Sequence, residues 1–282
     1  MKYTSKQYYI EEVLRQKLDF VVERAAMKRK LDAIFICDGD EGFGKTGMSI
    51  LCMYYLSEMT GREFNLDHVF FDPEEFIKFV NSTREQLIIW DEAALGGLAN
   101  NWQSRVQQML IQTLMTCRSR KHIIIFNVPK FYRLNLYFVV ERAVGLIHVY
   151  SRDNLNAGHF TYYTKKYLEG MMDCWAKKRK KPYKLFPHLR GTFPDAFKHD
   201  IIDEDEYDKK KDASTQKLID KYAKRTPSNI SSNKLLKFQY LISQLSETFK
   251  LNAQELAEFM EVNNSTLSKW KNIKKEKPKL FE

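Results

Sequence analysis

The sequence is poor in cysteine and has no long apolar run, and each absence removes a class of protein. Its cysteines, Cys37, Cys52, Cys117 and Cys174, form no CxxC pair and no His/Cys cluster at metal-ligand spacing. We therefore expect reduced cysteines packed as small hydrophobic residues, not a disulfide framework or a zinc site. No stretch reaches the roughly 18 apolar residues of a membrane helix, and the charged N-terminus is not typical of a signal peptide. These features predict a cytoplasmic protein with no integral membrane segment.

The composition indicates a folded chain with an anionic partner. Hydrophobic residues make up 44% of the sequence and aromatic residues 13%, which is enough to bury a core and excludes wholesale disorder. The formal net charge is +10. This balance favours nucleic acid as the partner, then a membrane surface, although an ordinary basic protein would share it.

Apolar runs alternate with amphipathic stretches along the first 164 residues. Short buried runs bounded by polar residues are typical of strands in a parallel sheet covered on both faces. We predict an α/β P-loop NTPase fold, with a central, mostly parallel sheet flanked by helices and a small all-α C-terminal module. The predicted strands cover 33–37, 69–71, 86–90, 122–127, 144–150 and 159–164, with the last two pairing, and the predicted helices cover 1–30, 45–59, 72–81 and 101–118.

The composition changes after about residue 168 and divides the chain. A basic run at 177–181 and a mixed-charge stretch at 203–212 precede a Pro/Ser/Asn-rich stretch at 226–233. We predict a main domain over 1–202, a linker over 203–233 and a second domain over 234–282, where helical periodicity returns. Trp175, Tyr183 and Phe186 lie near the basic run, so this region is either a solvated linker or a nucleic-acid surface.

The segment 39–46, GDEGFGKT, matches the phosphate-binding pattern GxxxxGK[ST] between a predicted strand and a predicted helix. Glycines allow the backbone N–H groups to wrap phosphates, and the following helix presents its positive end to the same anions. We expect Lys45 to reach the β- and γ-phosphates of ATP and the Thr46 hydroxyl to bind Mg²⁺. The predicted nucleotide-binding residues are Gly39, Asp40, Glu41, Gly42, Phe43, Gly44, Lys45, Thr46 and Gly47.

Two acids follow the predicted strand at 86–90. Because parallel strands end at one edge of a sheet, Asp91 and Glu92 should lie beside the phosphate-binding loop. We expect Asp91 to hold Mg²⁺ through water and Glu92 to polarise the attacking water. A helix N-cap is the structural alternative. The adjacent glutamate also separates the chain from nucleotide kinases and GTPases, which usually lack it.

Three further residues are candidates for catalysis. Asn127 ends the strand predicted at 122–127, and its side chain would sense the γ-phosphate or the attacking water; a turn before Pro129 is the alternative. Arg118 and Arg120 end the preceding helix. Either could stabilise a neighbouring subunit's transition state, or simply place a cation at a helix C-terminus, and Arg142 is a third candidate.

These motifs resemble the additional-strand (ASCE) class of P-loop ATPases over roughly residues 30–150. Within that class, the stretch from Ile88 to Val149 resembles the FtsK/HerA-type DNA pumps and, most of all, the zonular occludens toxin-like (Zot-like) ATPases of phages and mobile elements. The chain departs from these families in having Asn127 where the pumps carry glutamine, and in having no spanning helix. The resemblance implies ATP and Mg²⁺ as cofactors and a homo-oligomer, either a ring or an ATP-bridged assembly. The loop spacing also suits AAA+ helper ATPases.

Residues 252–273 resemble a helix-turn-helix. Leu256 and Met260 lie one turn apart, residues 261–264 form the predicted turn, and Leu267 and Trp270 would face inward from the second helix. A helical hairpin that docks a protein partner is the alternative. The outward residues predicted to contact DNA are Ser265, Thr266, Lys269 and Lys271.

Together these features predict an ATP-hydrolysing, DNA-associated motor or switch of a virus or mobile element, working in translocation, packaging, transfer or partition. It would act in the host cytoplasm if viral. The alternatives are an AAA+-like helper or loader for replication or transposition, and an ATP-controlled transcriptional regulator. A small-molecule kinase and a membrane-coupled secretion ATPase fit the motifs less well.

Overall fold

The computed structural model describes residues 10–23, 31–91, 105–152, 158–194 and 201–224, together with Leu236 and Tyr240. The chain forms two compact units, Met1–Thr215 and Gln216–Glu282. The first unit holds almost all of the described residues. It comprises the sheet and the helices that pack on it.

Seven strands form one sheet in the order β2-β3-β4-β1-β5-β6-β7. Strands β1 to β5 pair in parallel, and β6 and β7 add an antiparallel extension. This mixed sheet, flanked by helices, confirms the predicted α/β class. The strands are Ala33–Gly39 (β1), Val69–Phe70 (β2), Leu87–Trp90 (β3), Ile123–Val128 (β4), Ala143–Tyr150 (β5), His159–Thr164 (β6) and Leu189–Thr192 (β7).

The helices cover both faces of the sheet. They are Glu12–Val22 (α1), Lys45–Thr60 (α2), Pro73–Ser82 (α3), Arg105–Thr116 (α4), Lys165–Lys178 (α5) and Glu204–Lys224 (α6). Short 3-10 turns occupy Leu66–His68, Cys117–Arg120 and Phe131–Arg133, and a π-helical segment covers Tyr137–Arg142.

Strand residues alternate between two hydrophobic cores. Phe35 and Ile125 pack with α1 and α2 on one face, which we call the P-loop face. Ile36 and Phe126 pack with α3, α4 and α5 on the opposite face. There Trp90 stacks on Phe76 with ring centroids 4.7 Å apart. Burying each such side chain contributes roughly 1.5–3 kcal/mol, so the central strands form a rigid base for any site at their ends.

The position of β4 brings three strand ends together. It lies between β1, which leads into the 39–46 loop, and β3, which leads to Asp91. Cys37 of β1 pairs with Asn127 of β4, and Trp90 of β3 pairs with Phe126. Asn127 therefore lies beside the end of β3.

Three elements differ from the sequence predictions. Helix α5 and strand β7 were not predicted, and the segment predicted as a linker begins with the 21-residue helix α6. Tyr207 of α6 is only 4% exposed and packs on Phe71, with ring centroids 5.4 Å apart. The start of the predicted linker therefore packs within the first compact unit, which extends to Thr215.

Candidate functional site

The 39–46 loop joins β1 to α2, and its glycines adopt conformations that other residues avoid. Gly42 and Gly44 have φ angles of 78° and 87°, in the left-handed region. A Cβ on Gly39 would lie 2.3 Å from the carbonyl oxygen of Val149 in the neighbouring strand β5. The local sequence thus permits a tight loop whose backbone approaches both the sheet and any bound ligand.

The first turn of α2 starts directly from this loop. Its N-cap is Gly44, and no side chain caps the helix. The N–H groups of the first turn are therefore available to an anion, and the helix dipole favours negative charge there. Lys45 Nζ donates to the carbonyl oxygens of Gly39 at 3.1 Å and Asp40 at 3.0 Å.

The predicted magnesium residues come together across the sheet. Thr46 Oγ1 donates to Asp91 Oδ2 at 2.9 Å, although 45 residues separate them in the sequence. Asp91 N donates to the carbonyl oxygen of Phe70 at 2.8 Å, which fixes the backbone just after β3. A hydroxyl and a carboxylate side by side at a phosphate-binding loop form a donor set that suits Mg²⁺ bound partly through water.

A tyrosine that the sequence analysis missed completes this cluster. Tyr207 donates its hydroxyl to Asp91 Oδ2. Nearby, Lys210 Nζ donates to the carbonyl oxygen of Leu66 at 2.7 Å. Helix α6 is therefore held by one polar contact to Asp91, after β3, and one to the turn that precedes β2. The only signal in the sequence is an aromatic residue isolated among charges, which does not by itself point to a partner 116 residues away.

Asn127 is buried beneath α2. Its side chain is fully inaccessible, and its Oδ1 accepts a hydrogen bond from Ser49 Oγ at 2.5 Å. Its Nδ2 has no hydrogen-bond partner among the residues that the structure describes. Asn127 therefore lies on the P-loop face, beside the helix that carries Thr46, and its predicted sensor role stays a prediction.

A second aspartate at the loop belongs to the opposite face. Asp38 is fully buried and accepts hydrogen bonds from Phe131 N at 3.1 Å and the Tyr183 hydroxyl at 2.5 Å. His148 Nδ1 lies 2.8 Å from its other carboxylate oxygen. Burial beside this carboxylate raises the pKa of Tyr183 far above its ordinary value, so its hydroxyl stays protonated. No motif in the sequence predicts this network.

Contacts and burial around the loop set the protonation of one carboxyl group and one thiol. Lys130 forms an ion pair with Asp40, and its hydrogen bond lowers the pKa of that carboxyl. Cys37 Sγ donates to the carbonyl oxygen of Lys45 at 3.7 Å. Burial raises the pKa of the Cys37 thiol to about 12, which excludes it as a thiolate nucleophile. All four cysteines are buried and none forms a disulfide, as predicted.

The candidate arginines lie at the other edge of the sheet. Arg118 and Arg120 occupy the turn that precedes β4, and Arg120 Nη1 donates to the carbonyl oxygen of Thr83 at 3.1 Å. Because parallel strands begin at that edge, neither arginine reaches the loop of its own chain, and a transition-state role would require a second copy. Arg142 is buried in an ion pair with Asp32 just before β1, and the pair joins the starts of β1 and β5. Its candidacy as a transition-state arginine stays a prediction.

Several predicted residues lie outside the described part of the chain: Glu92, Ser265, Thr266, Lys269 and Lys271. Within the described ranges, no group of three or more His, Cys, Asp or Glu residues could hold a metal ion. The same ranges contain no helix that is both long and apolar enough to cross a bilayer.

Comparisons with known proteins add little. No protein-family model matches the chain, and no curated protein sequence matches it. Among solved structures, the N-terminal domain of zonular occludens toxin from Neisseria meningitidis matches at 13% identity with a TM-score of 0.40. That match covers 60% of this chain and 98% of the other. A likeness this weak indicates neither the fold nor the function of this chain.

Proposed function

We propose that this chain is a magnesium-dependent ATPase associated with DNA, acting as a motor or switch for a virus or mobile element. The observation that carries the ATPase part is the hydrogen bond between Thr46 Oγ1 and Asp91 Oδ2, 2.9 Å long, at the start of α2. It joins the two motifs that a P-loop ATPase uses to hold its metal, and the local sequence of either motif alone would not require it.

Each residue then has a defined task. The loop N–H groups and Lys45 would bind the β- and γ-phosphates, and Thr46 and Asp91 would hold Mg²⁺. Bound Mg²⁺ supplies charge neutralisation for the phosphates. Glu92 would orient the water and accept its proton as the water oxygen bonds to the γ-phosphorus in line with the leaving group. The bond from the γ-phosphorus to the β–γ bridging oxygen breaks, ADP keeps that oxygen, and inorganic phosphate is released.

The DNA part of the proposal is supported by charge and by the C-terminal sequence. The net charge of +10 favours a polyanion. The helix-turn-helix-like segment at 252–273 supplies residues suited to a major groove, with Lys271 available for phosphates. We expect this segment to bind double-stranded DNA while the P-loop unit hydrolyses ATP.

The test is the steady-state rate of ATP hydrolysis with no DNA, with double-stranded DNA and with single-stranded DNA, across a salt series. We expect DNA to stimulate hydrolysis, and the stimulation to fade as salt rises because phosphate contacts compete with counterions. Deleting residues 234–282 should reduce affinity for double-stranded DNA and spare basal hydrolysis. Hydrolysis that no DNA alters would contradict the DNA part, and slow stimulated turnover without movement along DNA would favour a loader or regulator.

A further inference from the structure

A cavity of about 680 Å³ lies over the antiparallel extension of the sheet, on the face opposite α2. We call it the aromatic pocket. Its base is formed by residues of β5 and β6, including His148 and Tyr150, and its wall by the segment 181–188, including Tyr183. None of the described residues that line it belongs to the 39–46 loop, so it is separate from the site assigned above.

The aromatic rings of the pocket are arranged as a stack. His148 and Tyr183 are nearly parallel, with centroids 3.6 Å apart and an interplanar angle of 11°. Tyr150 continues the stack at 6.1 Å from His148, with an angle of 14°. Tyr150 is partly exposed. Parallel rings at a cavity wall form a platform on which a flat, conjugated group packs.

The stack is held in place before any ligand arrives. Asp38 accepts the Tyr183 hydroxyl and contacts His148, and the Tyr163 hydroxyl donates to the Tyr183 carbonyl oxygen at 2.5 Å. Because Asp38 is fully buried within β1, both rings are fixed to the central sheet. A ligand that packs on them therefore loses little affinity to ordering the site.

The charged residues at the described part of the pocket rim are all cations. Arg152, Lys181, Lys184 and Arg190 line it and are exposed, and its described lining includes no aspartate or glutamate. The pocket thus combines an aromatic platform with exposed cations. Neither a purely apolar ligand nor a cation fits that combination, whereas a flat base that bears a phosphate does.

We propose that the aromatic pocket binds a nucleotidyl group, with the base packed on the ring stack and the phosphate held by Arg152 and Lys184. The group comes either from a single-stranded nucleic acid or from a free mononucleotide. Where it belongs to a DNA strand, the proposal deepens the DNA association proposed above and rests on it. It requires no hydrolysis at the P-loop.

The first test compares Tyr150→Leu with Tyr150→Phe, using the full chain and the fluorescence anisotropy of a labelled oligothymidylate of roughly 12 nucleotides. Loss of one stacked base should weaken binding about 5- to 150-fold for Tyr150→Leu, whereas Tyr150→Phe should stay within about twofold. Thermal unfolding of both variants checks that they fold. Equal affinity of the two variants for every probe would overturn the proposal.

The second test removes charge from the rim. Arg152→Ala combined with Lys184→Ala should lower the salt slope of oligothymidylate binding by about 1.4, at roughly 0.7 for each phosphate contact. The matched control, Lys78→Ala with Arg84→Ala, removes two exposed cations near the β2–β3 end of the sheet and should leave the slope unchanged. An equal fall of the salt slope in both double variants would show that any exposed cation contributes to binding. It would overturn the assignment of Arg152 and Lys184 as phosphate contacts of the pocket.

Two further measurements identify the source of the group. Titrating dTMP and ATP into Lys45→Ala protein reports on nucleotides held away from the P-loop, and a Tyr150-dependent signal there would identify a free mononucleotide. Photocrosslinking of 4-thiothymidine oligonucleotide to a peptide containing Tyr150 or Tyr183 would identify a strand. If ATP is not hydrolysed but either signal depends on Tyr150, the proposed ATPase function is wrong and the nucleotidyl-binding pocket is supported. If ATP is hydrolysed and both signals are absent, the ATPase function is supported and the nucleotidyl-binding pocket is wrong.

Discussion

Two aspartates lie at the same edge of the sheet, on opposite faces, and have different hydrogen-bond partners. Asp38, on one face, is enclosed by a backbone N–H, a histidine ring and a tyrosine hydroxyl. Asp91, on the other face, accepts hydrogen bonds from Tyr207 and from the P-loop hydroxyl of Thr46. Both have a tyrosine from a later segment of the chain. Of the two, Asp91 accepts a hydrogen bond from Thr46, the residue of the 39–46 loop proposed to bind Mg²⁺.

The proposed function makes Asp91 a functional carboxylate and leaves Asp38 a structural one. The partners of Asp38 tie β1 to β5 and to the segment 181–188, and this fixes the aromatic pocket. The partners of Asp91 tie β3 to the start of α2 and to α6. The hydroxyls of Thr46 and Tyr207 donate to the same oxygen, Asp91 Oδ2, so a change at one hydroxyl alters the hydrogen bonding of the other. We therefore expect changes near Asp91 to alter turnover, and changes near Asp38 to alter stability and the pocket.

The largest expected effect lies next to Asp91. Glu92→Gln removes the carboxylate that polarises the attacking water, so turnover should fall about 10²- to 10⁴-fold while ATP binding persists. Phosphate release and equilibrium binding of a fluorescent ATP analogue measure the two quantities. Wild-type turnover in Glu92→Gln would remove Glu92 from this role, and oligothymidylate binding at the pocket serves as the control that should not change.

The next effect lies at the opposite aspartate. Asp38→Asn replaces a buried carboxylate that accepts three contacts and should lower the free energy of unfolding by about 2–4 kcal/mol. Urea denaturation monitored by tryptophan fluorescence measures this change. Turnover per folded molecule should stay within a few-fold of wild type. A loss of turnover with no loss of stability would reverse the assignment of the two aspartates.

A pH effect should arise away from both aspartates. His122 is fully buried before β4, accepts a hydrogen bond from Gln86 N at 3.1 Å, and has a pKa lowered to about 4 by burial. The unfolded chain takes up this proton near pH 6.5, so stability is fully present above that pH and is lost as pH falls toward 4.

The size of this pH effect is testable by substitution. His122→Gln should reduce the stability lost between about pH 6.5 and 4 by roughly 2–3 kcal/mol relative to wild type. Denaturant midpoints at several pH values measure the slope, with pH 7.5 as the reference. Parallel slopes for the two proteins would show that His122 does not carry the effect.

The smallest effect concerns the two tyrosines. Tyr207→Phe keeps the packing on Phe71 but removes a hydrogen bond to Asp91, which should cost about 1–2 kcal/mol of stability. It should also change the Mg²⁺ concentration needed for half-maximal ATP turnover. Tyr183→Phe is the matched variant and should lower stability without changing that Mg²⁺ dependence. Identical Mg²⁺ curves for wild type and both variants would break the proposed difference between the two regions.

The part of the site that could be predicted follows from parallel strands and local motifs. Thr46 and Asp91 each follow the end of a strand, and parallel strands end at one edge of the sheet, so the meeting of these two residues was foreseeable. Tyr183 and Tyr207 lie 145 and 116 residues from their aspartate partners, with no motif around them. Contacts of that kind depend on where later segments pack.

The fold, too, has parts that could be predicted from the sequence and parts that could not. The central strands are apolar runs that are fully buried, and they were predicted closely. Helix α6 consists mostly of charged residues, which led to its prediction as a linker, yet Tyr207 and Ser214 are buried on it. A few buried positions on a highly charged helix do not stand out in the sequence, because solvated charges dominate its composition.

The most direct test of the central claim is Mg²⁺-dependent ATP binding and phosphate release by wild-type protein, Lys45→Ala and Lys78→Ala. Lys45 follows the glycine loop, and Lys78 is an exposed lysine of α3 that serves as the charge control. The ATPase assignment predicts that wild type and Lys78→Ala bind and hydrolyse ATP, and that Lys45→Ala loses binding or turnover. Full activity in Lys45→Ala would contradict the assignment of the 39–46 loop.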